Sequence, residues 1–336
     1  MKFKGIIFTS IVITLLFYSC KKTNRFAINT SKDGIKVVIQ RFDKDLILLD
    51  TINTEVGVKH LYKKYPDFFP VYISSILEMN PQDTLKICDL IKNFLKDTTF
   101  VKVNKKVLEE YADVSDIETT LSTAFTYIHY YFPEIKLPTV YFFVSGFNRA
   151  ILWNDHLIGI GTDLYLGNDY PLYKEITYEY MIYNMRRECI PADIVSTLLV
   201  NSFPMKSSQD RLLENILYRG KIMYLLSIFL PEEKPTDLIG YTSAQWEWCK
   251  KYEKEIWASV IEQKALFSSD SKTIGAFIND APFTAPISQD SPGRLGTWLG
   301  WQIIKSYMET NKNVDLRQLM NERNYEKLLE NSNYHP

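Results

Sequence analysis

Apolar positions recur at helical spacing over most of this chain, and switch to strand spacing in one short stretch. Before that stretch the pattern predicts a strand over 36–41, a helix over 42–50 and three short helices between 56 and 95, punctuated by Pro66, Pro70 and Pro81. Within 65–72 (YPDFFPVY), prolines alternate with four aromatics, which predicts a rigid, non-helical elbow. Helices over 105–111 and 117–132 complete an all-helical first half. The period then shortens: 139–145 (TVYFFVS), 149–153 (RAILW) and 157–160 read as a small antiparallel meander.

Helical spacing returns at 171–187 and governs the rest of the chain. The run 191–203 (PADIVSTLLVNSF) opens on Pro191 at a first-turn position, and 209–230 carries Leu213, Ile216, Leu217, Ile222, Leu225 and Leu226 as one stripe ended by Pro231. Further helical segments follow at 243–267, with Trp246, Trp248 and Trp257, and at 296–308, where Gly296 and Gly300 stand one turn apart and predict close approach of another helix. Between them, Pro282, Pro286, Pro292 and Gly293 mark an irregular loop. Two short helices, 316–321 and 325–330, close the sequence. The fold class is therefore α+β and predominantly helical: one folded domain over 35–336, with a helical first half (42–135) and a sheet-plus-helices second half (138–336).

The N-terminus follows another logic. Residues 5–17 are uninterruptedly apolar after Lys2 and Lys4, yet shorter than the roughly 20 residues that span a bilayer, as in the h-region of a signal peptide. Ser19 directly before Cys20 resembles, in a loose form, the lipobox of bacterial lipoproteins. On that resemblance 1–19 is a signal peptide, Cys20 the acylated residue (palmitate among its acyl groups) and 20–34 a tether. Lys21, Lys22 and Arg25 make a basic collar able to attract anionic headgroups. The expected location is a cell membrane, lipid-anchored, with the folded part facing the periplasm.

Charge and composition narrow the partners. A formal net charge of -1 with no basic cluster excludes an obvious nucleic-acid binder. The 22 Tyr and 19 Phe predict an aromatic-rich core. Beyond Cys20 the cysteines are Cys88, Cys189 and Cys249, an odd number that permits one disulfide at most; Cys189 and Cys249, at the mouths of neighbouring predicted helices, are the candidate pair.

Catalytic motifs are incomplete. A zinc hydrolase needs two imidazoles at i and i+4 on one helix, but no histidine occurs between His156 and His335, and Asp193, Thr197 and Asn201 take the corresponding turns of 191–203. Gly159 and Gly161 begin a G-x-G-x-x-G pattern that Leu164 breaks; the glycines are expected to end a strand near the helix pair. Ser145 has no G-x-S-x-G elbow around it. No cofactor, metal or small-molecule substrate is expected.

Seven stretches carry a family resemblance: RFDKDL at Arg41, FFVSGFNRAIL at Phe142, IGIGTDLYLG at Ile158, RRECIPADIV at Arg186, ILYRGKIMYLL at Ile216, IGYTSAQWEWC at Ile239 and SPGRLGTWLGWQIIKSYM at Ser291. In this order the chain resembles the gliding-motility lipoprotein GldB family of Bacteroidetes. The resemblance implies an envelope lipoprotein needed for gliding, acting beside other gliding or type IX secretion proteins, and supplies no reaction. More distantly, the succession strand, strand, helix, helix, Gly-rich helix is similar to zincin-type peptidases. Here the histidines are missing and Arg219 precedes Gly220 where those enzymes place a Glu, setting a permanent positive charge where the metal would lie.

Three functional expectations follow. The first is a non-catalytic, zincin-like scaffold whose cleft binds a protein or peptide through Asp163, Tyr165, Asp169, Arg187, Glu188, Arg219, Lys221 and Arg294. The second is a metal-dependent peptidase or hydrolase with unusual ligands, using Asp163, Glu188 or Asp193, a carboxylate set suited to Ca²⁺ or Mg²⁺. The third is a structural brace in a membrane complex. Charge reversal at Arg219 and Lys221 is the expected discriminator, harmful only in the cleft model.

Overall fold

The computed structural model describes residues 25–30, 34–206 and 209–336. The signal-peptide and Cys20 expectations, with Lys21 and Lys22 of the collar, lie outside the described residues. Among those described, no helix is long and apolar enough to cross a membrane.

The polypeptide enters as β1 (Gln40–Arg41) and passes through six helices: α1 (Phe42–Ile47), α2 (Thr54–Lys64), α3 (Phe69–Ser75), α4 (Thr84–Lys96), α5 (Thr98–Glu110) and α6 (Ser115–Tyr131). The strands β2 (Thr139–Phe143), β3 (Ile151–Asn154) and β4 (Leu157–Gly161) follow. Then come α7 (Tyr173–Ile176), α8 (Glu179–Ile182), α9 (Ile190–Ser202), α10 (Leu212–Phe229), α11 (Pro235–Ile239), α12 (Ser243–Lys251) and α13 (Glu253–Glu262). The chain ends with α14 (Ser271–Ile278), α15 (Leu295–Thr310), α16 (Leu316–Asn321) and α17 (Tyr325–Ser332). Buried apolar residues from Phe26 to Tyr334 form one continuous cluster.

The sheet is mixed rather than the expected antiparallel meander. Its order is β1-β2-β4-β3, with β1 and β4 parallel to β2 and only β3 antiparallel to β4. The connection after β2 carries the chain past the next strand position, so β3 lands on the far edge and β4 returns between them. The expected first strand is also shorter, because the backbone before it is already satisfied elsewhere. The N–H groups of Ile35, Val37 and Ile39 donate to Thr126 Oγ1, Ser122 Oγ and Glu118 Oε1, at 2.9, 2.9 and 2.8 Å. Alternate residues of an extended segment thus match every fourth residue of α6, since two strand steps (~6.8 Å) nearly equal four helix steps (~6 Å).

The aromatic core lies between the sheet and the first helices. Phe68 stacks on Tyr141 at 4.4 Å, and Phe42 meets Tyr65, Phe68, Phe69 and Tyr72 within 5.5 Å. The expected elbow at 65–72 is confined to its first half, because Pro70 sits in the first turn of α3, where its missing N–H costs nothing. Gly159 makes room for Phe68 and Phe143, whose rings a Cβ would meet at 3.0 Å, and Gly161 for the carbonyl of Arg149 at 2.3 Å. Their neighbours are the aromatic layer and the β2–β3 connection, not the helix pair.

In the second half α10 is the central post, buried on nearly every side. Its chief neighbour is α15, and the two backbones touch: a Cβ on Gly300 would lie 1.9 Å from the Ile216 carbonyl oxygen, and one on Gly220 2.3 Å from Gly300. The expected close approach therefore exists: α10 comes close at Gly300, and at Gly296 it is the end of α14, whose Phe277 carbonyl oxygen a Cβ would meet at 3.0 Å. The helical run predicted over 171–187 instead breaks into α7 and α8, because Thr177 and Tyr178 are extended.

The expected Cys189–Cys249 disulfide is not formed; Cys88, Cys189 and Cys249 are free and buried. Burial pushes the Cys189 thiol up to about 12, beside the Arg186 guanidinium at 3.7 Å, while Cys249 is fully buried on α12. We expect maleimide to label all three only after unfolding, to the same extent with and without prior reduction. A gain of two labelled thiols on reduction would contradict the fold at these positions.

Candidate functional site

A polar cleft opens where the first turn of α9, the end of α11, the loop after α14 and the start of α15 converge. It encloses about 200 Å³, lined among others by Asn184, Asp193, Gly240, Asp280 and Arg294. A second hollow of about 170 Å³, edged by Tyr180, Tyr183 and Gln245, shares Asn184, Gly240, Asp280 and Arg294 with it, so the two form one groove.

Asp193 is the central carboxylate. It lies in the first turn of α9, where a helix favours negative charge, and its Oδ2 accepts from the Tyr165 hydroxyl at 2.7 Å. Burial nevertheless pushes its pKa up to about 6, against the Tyr165 hydrogen bond and the Arg294 charge, which both lower it. Arg294 reaches the groove because its own backbone is left-handed, φ +55°, at the N-terminus of α15. Its Nη2 donates to the Ile239 carbonyl at 2.7 Å and its Nε pairs with Asp280 Oδ1 at 3.0 Å. Gly240, at φ +73°, has no side chain to block this. A Cβ there would stand 2.9 Å from Arg294 Nη2 and 2.7 Å from the Asn184 amide.

The groove's donors are largely committed while some acceptors are open. Asp237 is held by Arg186 at 2.9 Å, with Arg186 in turn 4.3 Å above the Tyr183 ring. Asp280 is held by Arg294. Asp193 has no ion-pair partner among the described residues, and the buried Asn184 Oδ1 accepts no hydrogen bond. Such a wall favours a guest that brings N–H groups and positive charge.

The eight residues expected to line one cleft are dispersed. Arg294 lines the groove, Tyr165 supports it through Asp193, and Arg219, exposed on α10, lies close enough to feel Arg294 and Asp280. The others serve elsewhere. Asp163 is buried and fastens the β2–β3 connection, accepting from the Ser145 and Phe147 N–H groups at 3.0 and 2.7 Å. Arg187 braces α5 to α6, donating to the Glu110 and Asp113 carbonyls at 2.7 and 2.8 Å and pairing with Asp116. Asp169 is exposed in a turn, and Glu188 points outward 3.9 Å from Arg186. Lys221 is buried on the opposite side of α10, donating to the Glu322 carbonyl. Charge reversal there would disrupt the core, so it cannot separate a cleft model from a brace model. Asp163, Glu188 and Asp193, the carboxylates of the hydrolase reading, bind different partners. Among the described residues no group of three or more His, Cys, Asp or Glu is arranged to hold a metal ion.

Comparison with known proteins supplies the family. The model of the family described as gliding motility protein GldB, a lipoprotein family by its name, matches residues 23–336. The chain belongs to the GldB family. It is thus a gliding-motility-related protein. No curated protein and no solved structure matches it, and the likeness to zincin-type peptidases rests on element order alone.

Proposed function

We propose that this GldB-family chain is a lipid-anchored envelope protein, facing the periplasm, that works in gliding as a non-catalytic protein-binding component beside the type IX secretion machinery. The groove is its recognition site, and the guest is a segment of an envelope protein that presents a lysine ammonium or a free N-terminal amine. The open acceptors at Asp193 and Asn184 carry this reading. An ammonium placed there gains charge-assisted hydrogen bonds from both, and its charge offsets the cost of keeping Asp193 ionised in the groove. Tyr180, Tyr183 and Gln245 extend the wall beyond the charged centre, and tyrosines are well suited to hold a peptide with little loss of side-chain entropy.

A photo-crosslinking residue at Tyr180 tests the site in gliding cells. We expect a discrete cross-linked species that disappears when Asp193→Asn is added, although the doubly substituted chain accumulates normally. A cross-link that survives Asp193→Asn would remove the groove from the account.

A further inference from the structure

A second cavity lies on the opposite side of α10, between the loop after α9 and the connection from α16 to α17. It encloses about 250 Å³, and Lys206, Lys221 and Arg323 line it together with Tyr218 and Tyr325. Through Lys206, Arg323 and Tyr325 it continues into an open basin of about 730 Å³. In that basin the one further cation among the described residues, Arg211, is neutralised by Glu214 and Glu326.

The cavity's own cations are not neutralised in this way. Lys221 is only 1% exposed, yet its ammonium finds one acceptor, the Glu322 carbonyl, and the face of the Tyr325 ring at 4.8 Å. An ammonium has three N–H groups to place. Among the described residues neither Lys206, Lys221 nor Arg323 forms an ion pair. The nearby Glu322 carboxylate is already turned to the Asn324 N–H at 2.8 Å. Burial lowers Lys221 to about 8, with the like charge of Arg323 adding to it and the Glu322 carboxylate, which also lines the cavity, offsetting only part of the shift. Holding a positive charge in such a place is costly without a counter-ion, and an anion between the three side chains would relieve it.

We propose that this cavity binds a phosphomonoester, with Lys221 at its base and Arg323 and Lys206 closing over the phosphate oxygens. Three cations from three segments suit a compact tetrahedral dianion better than a planar, singly charged carboxylate, and the guanidinium adds a two-pronged contact. The enclosed volume admits a phosphate with a small ester group, while the open basin beside it leaves room for whatever the ester carries. That chemistry is shared by soluble phosphate esters and by the headgroup of a phosphatidic-acid-type lipid. Arg219 and Lys221 lie about 200° apart around α10, so this cavity does not depend on the groove reading.

Calorimetric titration of the full-length chain in non-ionic detergent tests the proposal, using inorganic phosphate, glycerol 3-phosphate and monomeric dihexanoyl phosphatidic acid. We expect saturable binding, weakened at least tenfold in Lys221→Met and in Arg323→Met and unchanged in Asp193→Asn. Arg323 is exposed, so its variant reports on binding even if Lys221→Met folds poorly. Comparable affinity for glycerol 3-phosphate and the lipid assigns a soluble ester; affinity for the lipid alone assigns a headgroup. The absence of saturable binding by all three ligands, or binding unaffected by Arg323→Met, overturns the proposal.

Discussion

Gly300→Ala is expected to destabilise the protein by about 3 kcal/mol, at the upper end for overpacking a buried contact. The cause is backbone meeting backbone. The new Cβ would fall 1.9 Å from the Ile216 carbonyl oxygen, an atom that cannot rotate away as a side chain can. Relief requires α15 to move off α10, and both helices are buried along most of their length. Gly275→Ala is the control: on α14 its Cβ would meet only the tip of the Asn279 side chain at 3.1 Å. Alanine's better helix propensity should leave that variant as stable as the parent, or more stable by about 0.5 kcal/mol. Denaturant midpoints compare the three proteins. A Gly300→Ala midpoint close to that of Gly275→Ala would mean that α10 and α15 do not cross at these glycines.

Asp193→Asn should do the reverse to stability. The folded carboxyl titrates near 6 and its reference value is 3.8, so the native state holds this proton more tightly. The native state therefore loses stability as pH rises through the window from about 4 to 6, and the loss persists above it. Asparagine removes that titration while its side-chain oxygen still accepts from Tyr165. Discounting for solvent in the groove, the variant should gain on the order of 1 to 2 kcal/mol over the parent at pH 7.5, and about none at pH 4. An equal difference at both pH values would mean that Asp193 is not the strained carboxylate described. A residue kept at a cost to stability, in a groove with open acceptors, is what a binding site looks like in energetic terms.

Much of the fold was legible in the sequence because helices announce themselves locally. The stripe on α10, the proline before it in α9 and the paired glycines of α15 each have a meaning within a few residues. Strand order does not: β2, β3 and β4 carry similar short apolar runs, and only the path of the connections decides that β4 lies between β2 and β3. The short β1 was hidden because its upstream N–H groups are satisfied by side chains of α6, 79 to 91 residues away.

The site was less legible. Asn184, Asp193, Gly240, Asp280 and Arg294 come from separate segments with no common spacing, and of the five only Arg294 is among the eight residues expected to line a cleft. Asp193 stands on the helix that would carry a zinc enzyme's ligands, a position that points to metal chemistry rather than to its pairing with Tyr165. One dispersal could be read in advance: Arg219 and Lys221, two residues apart on a helix, must face opposite ways. They do so here, one towards the groove and the other into the basic cavity.

On the proposed reading, the groove around Asp193 works by binding a partner. Gliding speed of cells whose only copy carries Asp193→Asn, measured with the abundance and thermal stability of that chain, tests it most directly. If the groove binds its partner through Asp193, the chain stays at least as abundant and stable as the parent in cells that no longer glide; normal gliding at normal abundance would rule this out.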